Sequence, residues 1–372
     1  MKNTFFCNLF LLYLVLIAEA KKSAQDSCLL QTQVSCARKN GDTMNNYMKI
    51  SPEEMEKSRV ILQNINDYYY SKMVGQYQLG TSLLVTLMCN GHILVESVPG
   101  LAKTTAAKIM TEAVNGSFSR IQCTPDLLPS DIVGSQIFNY ATNTFENKIG
   151  PVYANFVLLD EINRSSAKTQ SAMLEVMQEQ QITIGGINYA MPEVFTVIAT
   201  QNPIEQEGTY LLAEAQLDRF LIKEKLFYPN QNEEFEILNR VEKDIFASRR
   251  AVATIEDVRY VQELTKRVYI DDAIKHYIIR IIDATRNPAA HIGPKLAQYI
   301  TMGASTRGAI ALMEVSKAIA LLNGRDYVIP DDIKKMIYSV LRHRISLNYA
   351  AAADNVIPEN IINAILGAVP TP

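Results

Sequence analysis

One segment of the sequence constrains the fold and chemistry of this chain more than any other. An apolar run at residues 92–96 leads into Ser97-Val98-Pro99-Gly100-Leu101-Ala102-Lys103-Thr104, where helical spacing begins. A buried strand, a glycine-containing loop and a helix N-terminus form a site at which backbone N–H groups surround phosphate. The Lys103 ammonium would reach the β- and γ-phosphates of a nucleotide, and the Thr104 hydroxyl would bind Mg²⁺. The segment therefore predicts a phosphate-binding loop.

The match to the G-x-x-x-x-G-K-[ST] pattern is incomplete, because Ser97 and Ala102 stand where the pattern has glycine. Taken alone, the segment could also be an ordinary helix start with a solvated lysine. Other parts of the sequence have to decide between these two interpretations.

Polar side chains follow two further apolar runs. The apolar run at residues 156–159 is followed directly by Asp160 and Glu161. The run at residues 195–200 is followed shortly by Asn202. The carboxyl ends of parallel strands share one edge of a sheet, where ligands bind. There Asp160 would hold Mg²⁺, Glu161 would polarise an attacking water, and Asn202 would position that water or touch the γ-phosphate. The alternative is structural, with the two acids capping a helix and Asn202 forming a turn.

The order of strand and helix signals predicts the fold class. Weaker strand signals at residues 118–123 and 220–227 join the three runs above, with helical segments such as 104–114 and 168–179 between them. Strands that alternate with helices favour a parallel sheet covered on both faces. The paired runs around Gly185-Gly186 predict a β-hairpin, and residues 132–149 predict a looser one.

The sequence changes character near residue 230. Helical spacing dominates beyond that point, in segments at residues 233–241, 255–265, 271–286 and 307–322. We therefore predict an α/β nucleotide-binding domain at residues 48–229 and an all-α domain at residues 230–372. A helix that begins after Ser51 is also predicted, since Pro52 and Glu54 complete a capping pattern.

Residues 1–47 conflict with the rest of the chain. Lys2, an apolar stretch at residues 9–18 and Ala18-Glu19-Ala20 are the parts of a secretory signal. The segment could be an export signal, an uncleaved anchor, or a product of start assignment with translation beginning at Met44 or Met48. Because ATP is a cytoplasmic resource, the nucleotide site favours a cytoplasmic protein, and we expect no stable membrane insertion.

Charge and composition narrow the range of partners. The chain of 372 residues has 36 Lys and Arg against 39 Asp and Glu, a net charge of −3. With that balance the chain has no overall excess of positive charge of the kind that binds nucleic acid. The five cysteines and four histidines show no metal-binding spacing.

With these motifs in place, the chain resembles the MoxR-type ATPases of the AAA+ superfamily. The resemblance runs from Val74-Gly75 to Arg344 and rests on several ordered motifs. They are the segments at residues 96–104, 124–131, 159–164, 199–203, 214–220 and 303–307. The family loop commonly has alanine at the position of Ala102 but glycine at that of Ser97, so weaker nucleotide affinity is expected. Three further residues differ from those usual in the family, namely Thr306, Ala213 and Gln180. We interpret these differences as tuning the activity and not as abolishing it.

The resemblance implies a role for each matching residue. Asp160 and Glu161 match the Walker B pair, with Thr104 and Asp160 on Mg²⁺, and Asn202 matches sensor 1. Arg219 resembles an arginine finger presented to a neighbouring subunit, and Arg307 resembles sensor 2, reaching from a helical lid to the γ-phosphate. The implied nucleotide contacts are Val74, Gly75, Pro99, Gly100, Leu101, Ala102, Lys103, Thr104 and Thr105.

The resemblance also implies a fold and partners. It implies a P-loop AAA+ parallel-sheet domain with a C-terminal all-α lid, in a homo-oligomeric ring, usually a hexamer. The activity that the resemblance implies for this chain is Mg²⁺-dependent ATP hydrolysis. That hydrolysis would remodel or mature a client protein, for example one with a von Willebrand factor A domain. Two alternatives stay open: an ATP-binding scaffold with little turnover, which Ser97 favours, and a nucleic-acid motor.

Overall fold

The computed structural model describes residues 49–203, 209–242 and 250–372. The predictions for residues 1–47 lie outside the described residues. Eleven strands have the following bounds: β1 Ile93–Glu96, β2 Phe118–Gln122, β3 Gly134–Asn139, β4 Thr144–Ile149, β5 Phe156–Asp160, β6 Gln181–Ile184, β7 Ile187–Ala190, β8 Thr196–Gln201, β9 Ile222–Lys225, β10 Ile300–Met302 and β11 Ser346–Leu347.

The helices fall into two groups along the chain. Those that precede the last strand of the main sheet are α1 Pro52–Lys72, α2 Tyr77–Met88, α3 Lys103–Ala113, α4 Pro129–Val133, α5 Ala167–Glu179 and α6 Glu214–Leu217. Those that follow it are α7 Gln231–Glu242, α8 Ile255–Arg267, α9 Asp272–Arg286, α10 Pro288–His291, α11 Pro294–Ala297, α12 Thr306–Leu322, α13 Pro330–Leu341, α14 Tyr349–Ala353 and α15 Pro358–Ala368.

A parallel sheet of five strands, in the order β2-β5-β8-β1-β9, forms the centre of the molecule. Every neighbouring pair is parallel, and Leu159 of β5 lies opposite Ala199 of β8. Alternate residues of a strand point to opposite faces. Accordingly Leu158 joins one hydrophobic cluster and Leu159 the other. All five strand signals of the sequence are thus confirmed as one parallel sheet with both faces covered.

Both hairpins are present beside this sheet. β6 and β7 pair around the turn Gly185-Gly186, where φ is 57° and 80°, which favours glycine. The second hairpin pairs β3 with β4 and begins at Gly134. Ile132 was predicted to lie in a strand, but it belongs to the short helix α4, which ends where Gly134 adopts φ 112°.

The capping prediction at Ser51 is confirmed. The Ser51 hydroxyl accepts from the Glu54 N–H at 3.1 Å, and the Glu54 carboxylate accepts from the Ser51 N–H at 2.8 Å. α1 therefore begins at Pro52, as the pattern indicates.

Among the described residues beyond β9, the regular elements are helices apart from the short pair β10–β11. Its helices α8, α9, α12 and α13 share one hydrophobic core with α1, α2 and one face of the sheet. The boundary at about residue 230 stays a prediction.

A buried polar network also joins the sheet to the C-terminal helices. The carboxylate of Glu224, on β9, accepts from the hydroxyls of Ser82 and Ser339 at 2.8 Å each. Arg342 donates to Glu224 at 3.3 Å and pairs with Glu359 at 3.1 Å. Since Glu224 is 3% exposed, these bonds act in a nearly water-free environment. Across the described residues, the structure has no helix long and apolar enough to cross a membrane.

Candidate functional site

The predicted phosphate-binding loop connects β1 to α3, as expected. Gly100 has φ 85° and Ala102 has φ 54°, so the loop turns through the left-handed region just before α3 begins at Lys103. The Lys103 ammonium donates to the Ser97 carbonyl at 3.5 Å. Because the first N–H groups of a helix make no bond within the helix, those at the start of α3 are the groups that would bind a phosphate at this loop.

Ser97 does not distort this loop. It is 2% exposed, its N–H donates to the Gln201 carbonyl at 3.1 Å, and its backbone lies outside the left-handed region. A Cβ at this position therefore carries no backbone strain. The physical argument for weaker nucleotide affinity, which rested on a backbone path reserved for glycine, finds no support here.

Asp160 and Glu161 lie at the carboxyl edge of the sheet, as the sequence predicted. Asp160 ends β5, where its carboxylate accepts from the Thr200 hydroxyl at 2.9 Å and from Arg120 at 2.6 Å. In the sheet, β8 lies between β5 and β1. Two steps between neighbouring strands therefore separate Asp160 from the end of β1, a distance of about 10 Å. A nucleotide phosphate with its cation spans a gap of this size.

Glu161 is the first residue beyond β5, and its backbone is left-handed with φ 59°. Its N–H donates to the Thr200 hydroxyl at 2.9 Å. Its carboxylate accepts from Arg164 at 3.1 Å and from Gln122 at 3.3 Å. Asn202, 4% exposed, follows the end of β8 at the same edge of the sheet.

Sequence reasoning assigned no role to Thr200, Arg120, Gln122 or Arg164. Thr200 is fully buried and binds both residues. Its hydroxyl donates to the Asp160 carboxylate and accepts from the Glu161 backbone N–H. Its register position opposite Val95 was not readable from the sequence, because register depends on how the strands pair.

The segment Val74-Gly75, implied to contact adenine, joins α1 to α2. Gly75 has φ 63°, and a Cβ there would come within 2.9 Å of the Glu233 carboxylate on α7. Arg240 of α7 donates to the carbonyls of Tyr70 and Ser71 at 3.1 and 3.0 Å, at the end of α1. α7 therefore packs against the predicted adenine segment.

Arg219 and Arg307 lie together, but not beside Lys103. Arg219 donates to the Leu174 carbonyl at 2.9 Å, and Arg307 donates to the Gln178 side chain at 3.3 Å. Leu174 and Gln178 are one turn apart on α5, and both arginines line a cleft with Gly91 and His92.

This cleft is at the amino edge of the sheet, since His92 immediately precedes β1 while the phosphate loop follows it. β1 has four residues, so about 13 Å of strand separates His92 in the cleft from the phosphate loop. Arg307, expected to reach from the lid to a γ-phosphate, thus lies away from the phosphate loop of its own chain, and its role stays a prediction. The lid helix α12 that carries Arg307 packs at the edge away from the phosphate loop.

A polar network fixes the two arginines relative to each other. Asp218 accepts from Arg344 at 2.9 Å and from the Ser305 hydroxyl at 2.7 Å. Ser305 is the N-cap of α12 and also accepts from the Arg307 N–H at 3.0 Å. Arg344, 5% exposed, donates to the Phe220 carbonyl at 2.7 Å. Asp218 thus connects Arg219, its neighbour in sequence, to the helix that carries Arg307.

His92 closes the floor of the cleft and is held at both ring nitrogens. Nδ1 accepts from the Val197 N–H at 3.1 Å, and Nε2 lies 3.1 Å from the Met177 carbonyl. Burial lowers the pKa of His92 to about 4, so the ring stays neutral near pH 7. Across the cleft, burial raises the pKa of Glu314.

The residues at the carboxyl edge fit Mg²⁺ held together with a nucleotide. A threonine hydroxyl at position 104 and the Asp160 carboxylate are hard oxygen donors, and Mg²⁺ on a nucleotide needs only one or two protein ligands. Within residues 49–203, 209–242 and 250–372, no group of three His, Cys, Asp or Glu side chains could hold a metal ion independently.

The chain is similar to known proteins both in sequence and in fold. The sequence profile of the ATPase family associated with various cellular activities (AAA) matches residues 92–222, and that of the AAA lid domain matches residues 296–365. The protein named chaperone MoxR1 of Mycobacterium tuberculosis is 45% identical over 300 residues, which are 81% of this chain and 79% of that protein.

Two further similarities extend the same pattern. The protein MoxR of Paracoccus denitrificans is 27% identical over 329 residues, covering 81% of this chain and 93% of that protein. The crystal structure of a candidate ATPase from Cytophaga hutchinsonii is 44% identical with a TM-score of 0.81, covering 86% of this chain and 97% of that chain.

Proposed function

The chain belongs to the MoxR family of AAA+ ATPases, and on that premise we propose that it hydrolyses Mg²⁺-ATP at a site shared between two copies. The energy of hydrolysis would remodel or mature a partner protein. The observation that carries this proposal is the separation of the site into two halves. Lys103, Asp160 and Glu161 occupy one edge of the sheet, whereas Arg219 and Arg307 occupy the opposite edge.

The carboxyl edge supplies phosphate binding and water activation. The Lys103 ammonium binds the β- and γ-phosphates, with Pro99, Gly100, Leu101, Ala102 and Thr105 lining the loop. Glu161 orients the attacking water and accepts its proton, and Asn202 holds the water in line. Thr104 and Asp160 would hold Mg²⁺, which neutralises phosphate charge when it is bound.

The amino edge supplies positive charge to a neighbouring copy. Arg219 and Arg307 are too far from their own phosphate loop, but they are presented together in an open cleft. Positioned on the γ-phosphate of a neighbour, they would stabilise the charge that develops in the transition state. Because the two edges of one chain differ, such contacts are head-to-tail, and we propose that they close into a ring of six copies.

For the client protein, the cellular location and the domain bounds, our proposal rests on family membership. A relative named as a chaperone supports a client protein as the target, and we propose one with a von Willebrand factor A domain. We also propose a cytoplasmic location, with an α/β domain at residues 48–229, a lid at residues 230–372, and Val74 and Gly75 at the adenine. The net charge of −3 supports a protein client over nucleic acid.

The alternative of an ATP-binding scaffold rested on Ser97, whose backbone is unstrained. Steady-state ATP hydrolysis over a range of protein concentrations tests both ideas, in a chain beginning at Met44. We expect specific activity to rise with concentration and to fall at least 100-fold in Glu161→Gln and Arg219→Ala, since each removes a group that acts on the transition state. Bound ATP without turnover at any concentration would establish the scaffold instead.

A further inference from the structure

Arg120, on β2, contacts the carboxylate of Asp160 but has no part in the proposed mechanism. Its Nε and Nη2 groups both donate to the Oδ2 atom of Asp160, at 3.2 and 2.6 Å. Nη2 also donates to the Gln122 side chain at 3.0 Å. The pairing of β2 with β5 places Gln122 opposite Asp160, and Arg120 lies two residues earlier on the same face of the sheet. One guanidinium therefore occupies one oxygen of a carboxylate that is proposed to hold Mg²⁺.

The two oxygens of Asp160 are bonded to opposite neighbours in the sheet. Oδ2 accepts from Arg120 on β2, whereas Oδ1 accepts from the Thr200 hydroxyl on β8 at 2.9 Å. In the order of strands, β8 lies between β5 and β1, and the phosphate loop follows β1. Oδ1 is therefore the oxygen on the side of the phosphate loop, and Oδ2 is the oxygen on the far side.

The acceptor positions of the Asp160 carboxylate are nearly all filled. An ionised carboxylate has about four lone-pair positions, two on each oxygen. Arg120 fills both positions on Oδ2, and Thr200 fills one position on Oδ1. Among the contacts of the described residues, this leaves one position on Oδ1 for a metal ion or for a water bound to that ion.

The orientation of the carboxylate is fixed by the same contacts. Thr200 is fully buried, and the Asp160 side chain is only 12% exposed. The Arg120 side chain is 49% exposed, but its planar guanidinium keeps the two N–H groups in a fixed geometry. A lysine would present a compact ammonium without that geometry. Arg120 therefore restricts Asp160 through the shape of its guanidinium as well as through its charge.

The remaining position suits one divalent cation better than another. Mg²⁺ on a nucleotide keeps several waters and takes one or two carboxylates, whereas Ca²⁺ takes about six to eight oxygens and accepts both oxygens of one carboxylate. With Oδ2 bonded to Arg120, Asp160 can offer a single oxygen. We infer that Arg120 is a positioning residue that sets metal specificity, because it holds Asp160 to one-oxygen ligation and so favours Mg²⁺ over Ca²⁺. This inference rests on the proposed Mg²⁺-ATP site.

The metal preference can be measured by binding alone, without hydrolysis. Isothermal titration calorimetry with a nonhydrolysable ATP analogue gives one Kd in excess Mg²⁺ and another in excess Ca²⁺. In the parent chain we expect the Mg²⁺ complex to bind more tightly. Arg120→Met keeps the apolar stem and removes the donors, so the ratio of the Ca²⁺ Kd to the Mg²⁺ Kd should fall about tenfold. Since both ions are divalent, the lost charge of Arg120 acts on both Kd values alike and cancels in the ratio.

Two further variants separate the geometry of Arg120 from its charge. Arg120→Lys keeps a cation beside Asp160 but not the two N–H groups that converge on Oδ2, so the ratio should fall in this variant as well. Arg164→Met is the matched control. Arg164 pairs with the Glu161 carboxylate at 3.1 Å at the same edge of the sheet, so its loss removes one charge and leaves the bonds of Asp160 in place. The ratio should not change in this control.

Several results would overturn the inference. They are an unchanged ratio in both Arg120 variants, a fall in Arg120→Met alone, which would assign the effect to charge, and an equal fall in Arg164→Met. Equal affinity of the parent chain for the two complexes would also contradict it. Thermal melting checks folding, and a loss of folding in both Arg120 variants would make Arg120 a structural residue. Failure of the proposed function is distinct, because the parent chain would then bind neither complex.

Discussion

Thr200 shows how one buried side chain can organise the candidate site. Its hydroxyl donates to Asp160 and accepts from the Glu161 N–H, both at 2.9 Å. Thr200→Val keeps the shape but removes both bonds. We expect ATP hydrolysis to fall about 10- to 100-fold, the usual effect of losing a side chain that orients a ligand-holding group.

Thr200→Ser is the control for this prediction, because it keeps the hydroxyl and should retain most of the activity. The measurement is the rate of ATP hydrolysis against Mg²⁺ concentration. Equal rates in Thr200→Val and in the parent chain would show that the two acids are positioned by other contacts.

At the residue scale, motif spacing predicted which groups carry the chemistry but not what orients them. Lys103, Asp160 and Asn202 were identifiable because each ends or follows a strand whose apolar run is visible in the sequence. The bonds of Arg120 to Asp160 and of Gln122 to Glu161 depend on β2 pairing with β5. Nothing local in the sequence specifies that pairing.

At the scale of elements, His92 joins β1, β8 and α5 through its two ring nitrogens. Its folded pKa, about 4, lies below the ordinary value near 6.5, so the unfolded chain binds the proton more readily between these pH values. The stabilisation is complete above pH 6.5 and is lost as the pH falls towards 4. Between pH 7 and pH 5 the loss is about 2 kcal/mol.

Urea unfolding at pH 7 and pH 5 measures this dependence. His92→Gln can keep a donor and an acceptor without titrating, so its stability should fall less over the same interval. Burial also lowers the pKa of His343 well below its usual range, so part of the pH dependence remains in the variant. Identical losses in the two proteins would contradict the assignment to His92.

Glu224 connects β9, α2 and α13 in the same way. Glu224→Ala leaves the hydroxyls of Ser82 and Ser339 and part of Arg342 without their buried partner. We expect a loss of about 3 kcal/mol in the free energy of unfolding. Glu56→Ala, which removes an exposed pair with Arg59, should leave that free energy unchanged. A small effect at Glu224 would show that these elements are held by apolar packing alone.

At the scale of the whole molecule, the sequence predicted the class of fold but not where the lid helices lie. The position of Arg307 depends on how α12 packs against α2, α8 and α9. Apolar periodicity shows that α12 is buried on one side but does not identify its partners. As a result, the sequence indicated the two arginines, whereas only the packing shows that they share a cleft far from Lys103.

The most direct test of the shared site mixes inactive variants. Arg307→Ala keeps Glu161, and Glu161→Gln keeps Arg307, so neither chain alone has a complete site. If Arg307 acts on a neighbour's ATP, an equal mixture restores activity at about a quarter of the contacts in a ring. If Arg307 acts on the ATP of its own chain, no contact is complete and the mixture stays inactive. We predict recovery of ATP hydrolysis in the mixture, and its absence would contradict the account.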